Sequence, residues 1–156
     1  MFEDFVAAQG PVYVEVLREL RAGRKQSHWM WFIFPQLGGL GRSETARQFG
    51  LADLEAARAY LAHPLLGARL VECCRILIGL DGRSANQIFG SPDEVKLRSS
   101  MTLFAQAAPV ADAPFRAVLD KYFAGIEDPL TLKMLREAAP PSGRREGIWT
   151  PPPSER

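Results

Sequence analysis

Along most of the chain the apolar positions fall three and four residues apart, the spacing that gathers them on one face of an α-helix. From Pro11 to Arg21, Val12, Val16, Leu17 and Leu20 keep this rhythm, with Pro11 suited to a first helical turn and Gly23 marking a stop. A second helix over about 52–62 is predicted to bury Leu54, Ala57 and Leu61. His63-Pro64 should end it, because the residue before a proline disfavours helical geometry. Leu66, Leu70, Cys73, Leu77 and Leu80 then alternate steps of four and three, the stripe of a central, well-buried helix that Asp81-Gly82 closes.

A short helical piece is predicted at Ala85 to Phe89. In the following Ser91-Pro92-Asp93-Glu94, Ser91 reads as a cap, Pro92 as the first helical position and Glu94 as the far half of a capping box. The helix that starts there should bury Leu97, Met101 and Phe104, while Lys96, Ser99, Ser100 and Leu103 form an adjacent stripe of mixed polarity. Asp112 with Phe115, Leu119 and Tyr122 predicts a further helix ending near Gly125, and Asp128-Pro129 opens a last one that buries Leu132 and Leu135.

Two stretches break the pattern. Between Lys25 and Arg42, KQSHWMWFIFPQLGGLGR crowds aromatics, a proline and glycines into one irregular segment. Beyond Ala139 periodicity stops, and residues 140–156 hold a proline-rich run that reads as a flexible tail. The expected architecture is therefore mainly α: one compact bundle of about seven or eight helices over residues 1–139, with the aromatic and glycine-rich segment as its irregular part.

Composition agrees with one folded domain, since 47% of the 156 residues are hydrophobic and 24% charged. A net charge of +1 supplies no field to hold an extended nucleic acid, although two or three placed donors suffice for a single phosphate. The adjacent Cys73 and Cys74 lie in an apolar run and read as buried thiols. With only His28 and His63 beside them they form no metal-ligand pattern, so neither a metal nor a cofactor is expected. Glu3 and Asp4 stand where a secretion signal would be basic, and the stretch Trp29 to Phe34 is far shorter than the ~20 residues of a membrane span. A cytoplasmic location away from membranes is the expectation.

Candidate chemistry concentrates at three places. Lys25, Ser27, His28, Trp29 and Trp31, followed by Gln36, combine a cation, a hydroxyl, an imidazole and two indoles. Such a set can stack on a base, meet a phosphate and read a polar edge, or the aromatics can simply be core. Gly38-Gly39-Leu40-Gly41-Arg42-Ser43 resembles a phosphate-cradling turn in outline, with Gly41 letting backbone amides approach an anion and Ser43 as donor or as helix cap. Glu44 after it is a candidate general acid or base, or a first-turn glutamate. Lys96, Ser99 and Ser100 can donate together to phosphate or sugar oxygens.

The segments KQSHWMWFIFPQLGGLG, HPLLGARL, FGSPDEVKLRSSMTLF, LDKYF and DPLTL resemble the bacterial family known as domain of unknown function 1810, over roughly residues 3 to 136. The calpastatin label carried by some members has no counterpart here, since nothing resembles a disordered protease-inhibitor repeat. The resemblance implies a helical fold of the YbiA-like superfamily, shared with NADAR proteins, which are linked to ADP-ribose, NAD and riboflavin-precursor metabolism and cleave N-glycosidic bonds. In those relatives a glutamate in a Ser-x-Glu-like segment is tied to activity, and Ser43-Glu44 occupies a comparable place in this chain.

Such an N-glycosidase would draw on Glu44 or Asp93 for the ribose or water, with His28 and Gln36 for polar recognition. Lys25, Lys96, Ser99 and Ser100 would take phosphates, and Trp29 and Trp31 a base. Three readings stand: a metal-free hydrolase of an ADP-ribose-like compound, a non-catalytic module that binds a nucleotide-like small molecule, and a small interaction protein. The sequence leaves the oligomeric state open.

Overall fold

The computed structural model describes residues 1–110 and 113–138. Among them the chain forms ten helices: α1 (Glu3–Gln9), α2 (Tyr13–Arg21), α3 (Met30–Ile33), α4 (Glu44–Phe49), α5 (Leu54–Ala62), α6 (Leu66–Gly79), α7 (Ala85–Phe89), α8 (Asp93–Ala107), α9 (Phe115–Phe123) and α10 (Pro129–Ala138). The mainly helical expectation holds; the count exceeds seven or eight because the N-terminal segment and the irregular stretch fold into the short helices α1, α3 and α4. The expected cap at Asp112 and the expected tail over 140–156 lie outside the described residues. No helix among the described residues is long and apolar enough to cross a membrane.

α8 is the axis of the bundle, packed against α5, α7, α9 and α10, while α6 fills the space against α2, α5 and α9. Leu66, Leu70, Cys73 and Leu77 of α6 and Leu97, Met101 and Phe104 of α8 are buried, as their spacing predicts. Between helices the core is aromatic. Phe5 meets Tyr60 at 5.3 Å between ring centroids, Tyr60 meets Phe104 at 5.5 Å, and Phe104 meets Phe115 at 5.6 Å. This row links α1, α5, α8 and α9, each contact contributing about 0.5–1.5 kcal/mol beyond the area it buries.

Several local expectations change. Pro11 lies in the turn between α1 and α2, so the helix begins two residues later than its proline suggests. In α5 the buried positions are Ala57 and Tyr60, whereas Leu54 and Leu61 are half-exposed, because that helix faces α8 and α1 through its tyrosine. Ser91 does not cap α8, and no other side chain does. Glu94 instead accepts from Asn86 Nδ2 at 2.7 Å. The capping box sits one helix earlier, where Ser84 Oγ accepts from the Gln87 amide and Gln87 Oε1 accepts from the Ser84 amide. His63 serves the helix after it, its Nδ1 accepting from the amides of Leu65 and Leu66 at 3.2 Å.

α10 is fastened to α8 by polar groups. Thr102 Oγ1 donates to the Arg98 carbonyl and accepts from the Asp128 amide, both at 2.8 Å, while Arg98 donates to the carbonyls of Ile126 and Glu127. The irregular stretch is fastened by backbone pairing at Leu37 and Leu51, the Gly38 amide donating to Leu51 and the Leu51 amide to Gln36.

α5 and α6 approach closely at Gly67, where a β-carbon would stand 2.1 Å from the Leu61 carbonyl oxygen. Gly67→Ala should therefore lower stability by about 1–3 kcal/mol despite the better helix propensity of alanine, read as a drop in the midpoint of denaturant unfolding. An unchanged midpoint would mean that α5 and α6 slide apart at no cost. Burial raises the Cys73 thiol to about 12 and the Cys74 thiol well above its ordinary value. Both thiols should resist Ellman's reagent in the native protein and react, two per chain, once it is unfolded.

Candidate functional site

The organising group is Glu19, a residue on the buried side of α2. The residue is 1% exposed, and its carboxylate accepts four hydrogen bonds from the chain that follows the helix. The donors are the amides of Gln26 at 2.7 Å and Ser27 at 3.0 Å, the Ser27 hydroxyl, and Trp29 Nε1 at 2.9 Å. Burial alone would push this carboxyl up, but the hydrogen bonds from Ser27, Gln26 and Trp29 outweigh it and pull the group from 4.5 down to about 2. The 23–29 loop is thereby wrapped around one negative charge. Gly23, at φ +70°, makes the turn out of α2, and the Lys25 amide donates to the Ile88 carbonyl at 2.7 Å.

That wrapping delivers Lys25 to the start of α8. Lys25 Nζ lies 2.9 Å from Asp93 Oδ2, and Lys96 Nζ lies 3.2 Å from Asp93 Oδ1. The three side chains are largely withdrawn from water, at 8% exposure for Lys25, 22% for Asp93 and 17% for Lys96. Two ammonium groups share one carboxylate, so the cluster carries a net positive charge in a poorly hydrated place. Indoles flank it on both sides: Lys96 Nζ sits 4.5 Å from the Trp31 ring centroid, and Lys25 Nζ 5.1 Å from that of Trp29. A β-carbon on Gly41 would stand 3.3 Å from the Trp31 ring and 2.8 Å from Ala46 Cβ, so the glycine-rich loop and the start of α4 press on the Trp31 edge.

Of the residues singled out from the sequence, Lys25, Asp93, Lys96, Trp31 and Gly41 are brought together. Others are used by the fold. Trp29 is buried and spends its indole N–H on Glu19, so it offers no face to a base, and the Ser27 hydroxyl is likewise committed to Glu19. Ser43 Oγ accepts from the Ala46 amide at 3.1 Å, the helix-cap role, and Glu44 is exposed in the first turn of α4. Ser99 Oγ lies 3.0 Å from Asp128 Oδ2 and 3.2 Å from the Val95 carbonyl, its one proton shared between these acceptors, so it ties α8 to the start of α10 instead of waiting for a phosphate. Gln36 is nearly buried and His28 is exposed. Ser100 is fully buried, and its hydroxyl makes no hydrogen bond among the described residues.

The residue that sequence reasoning passed over is Glu19. Its signal was present: Val12, Val16, Glu19 and Gly23 recur at helical spacing, so a lone acid stood on an apolar stripe, where a carboxylate must find donors. Among the described residues no three His, Cys, Asp or Glu side chains are grouped to hold a metal ion.

The family model described as "Protein of unknown function (DUF1810)" matches residues 1–135. Among solved structures, the crystal structure of the conserved hypothetical protein Rv1873 from Mycobacterium tuberculosis is 54% identical, with a TM-score of 0.84 over 86% of this chain and 95% of that one. No curated protein matches the sequence.

Because the Glu19 carboxyl is held below its ordinary value, its contribution to stability is complete above about pH 4.5 and is lost as pH falls towards 2. The amount at stake is ~3 kcal/mol. Glu19→Gln should be less stable than the parent by about that amount at pH 7, and the gap should narrow steadily between pH 4.5 and pH 2 in urea unfolding. A gap independent of pH would show that the carboxylate charge is not what holds the loop.

Proposed function

We propose that this chain, which belongs to the family of unknown function DUF1810, binds a small phosphorylated ligand of nucleotide type at Lys25, Lys96 and Trp31. The supporting observation is the charge balance of the cluster: two ammonium groups, both mostly removed from water, share the single carboxylate of Asp93. A desolvated cation is costly unless an anion or a set of acceptors meets it. A phosphate group entering beside Asp93 would supply that partner and take charge-assisted hydrogen bonds from both lysines. Trp31, half-buried and bordered by Gly41, gives a flat apolar surface next to them.

Within this reading the chain is a binding module. The NADAR resemblance keeps a second one in view, hydrolysis of an N-glycosidic bond in an ADP-ribose-like compound, and the observation in its favour is Asp93 itself. That carboxylate lies between the phosphate-binding lysines, where it would steady positive charge developing on a ribose. Glu44 is a weaker choice on geometry, being exposed beside the Ser43 cap.

The test is a thermal-shift series with ADP-ribose, NAD and inorganic phosphate on the parent chain and on Lys25→Met, Lys96→Met and Glu44→Gln. A bound ligand raises the melting temperature by mass action. The lysine variants should each weaken binding by about 10- to 100-fold, the range for losing one charged hydrogen bond, while Glu44→Gln binds like the parent. Chromatographic detection of freed base in the same mixtures, absent in Asp93→Asn, would select the hydrolase. No shift with any phosphate compound at millimolar concentration, or a shift that both lysine variants retain, would remove the site.

A further inference from the structure

On the opposite flank of α2, away from Glu19, an open recess of about 610 Å³ runs along the seam of α2 and α6. This shallow surface is lined by the apolar Leu65, Val71 and Ile76 together with Arg21, Arg69 and Arg75. The carboxylate that shares it, Glu72, already accepts from the Tyr13 hydroxyl. From Leu65 to Ile76 the groove follows α6 for three turns, a length of ~16 Å. On α2, Val14 stands two turns before Arg21 on the same helical face and is 83% exposed, extending the apolar surface.

Arg69 is not a loose surface side chain. Its Nη1 donates to Gln9 Oε1 at 3.2 Å, and its guanidinium lies 4.5 Å from the Tyr13 ring centroid. Gln9 is 1% exposed and fixed in turn, its amide nitrogen donating to the Phe32 carbonyl and the Tyr60 hydroxyl. A buried glutamine and a stacked tyrosine therefore hold one guanidinium in a set direction, the preparation that bidentate recognition of a carboxylate rewards.

We propose that the α2–α6 groove docks an amphipathic helix of another protein, its apolar stripe on Leu65, Val71 and Ile76 and its carboxylates on Arg21, Arg69 and Arg75. An open apolar strip along α6 bordered by three guanidinium groups complements such a helix in charge and in the spacing of its apolar positions. A small free anion would leave these apolar side chains uncovered.

The probe is a labelled 14-residue peptide with leucines at positions i, i+3, i+4 and i+7 and glutamates on both sides of that stripe, followed by fluorescence anisotropy. Saturable binding is expected, weakened at least tenfold by Arg21→Glu with Arg75→Glu and restored when the peptide glutamates become lysines. Arg21 and Arg75 are exposed, and circular-dichroism melting of the double variant checks that it folds. The lysine variants that test the phosphate site should bind the peptide like the parent, so the two ideas fail separately. Binding that charge reversal leaves unchanged, no saturation up to millimolar peptide, or a preference for phosphatidylglycerol vesicles over the peptide would overturn the assignment.

Discussion

A single buried carboxylate sets the geometry of the irregular part of this molecule. Four donors from one short loop converge on Glu19, and satisfying them leaves that loop little freedom. Without the glutamate the buried indole N–H of Trp29 would be left with no acceptor, and the amides of Gln26 and Ser27 would lose theirs. With it, Trp29 is locked into the core beside Phe34 and Phe89, and Lys25 is carried to the first residue of α8. The candidate site is thus a consequence of how one negative charge is solvated by protein.

The two charge clusters of the structure make a useful contrast. At Glu19 one anion is surrounded by neutral donors and is complete. At Asp93 one anion faces two cations, and the balance is left positive. The first arrangement builds the fold; the second is the one that gains from an outside partner. The same comparison separates Ser99, whose hydroxyl is consumed in joining α8 to α10, from Lys96 one turn earlier on the same helix, whose ammonium stays at the site.

Much of the scaffold was legible in the sequence because it is local. The stripes of α6 and α8, the stop at His63-Pro64 and the opening of α10 at Asp128-Pro129 all depend on neighbours within a turn or two. The site was half legible. Residue types identified Lys25, Trp31, Asp93 and Lys96 as groups worth placing, but types alone gave the same weight to Ser27, Trp29 and Ser99, whose partners lie elsewhere in space. Composition could not tell a tryptophan that presents its ring from one that donates its N–H inward; only the partner, Glu19, distinguishes them. Ser91 and Ser84 show the same limit at short range: Ser84 closes a capping box with Gln87 at the start of α7, whereas Ser91 caps nothing and Glu94 accepts from Asn86 instead.

The bonds to Glu19 span only seven to ten residues of chain. Closing a loop of that size costs little entropy and takes about 10–100 ns, far less than assembling a helical bundle. Asp93, by contrast, stands far along the chain from Lys25, so the ion pair at the site depends on the packing of the whole core and not on the loop alone.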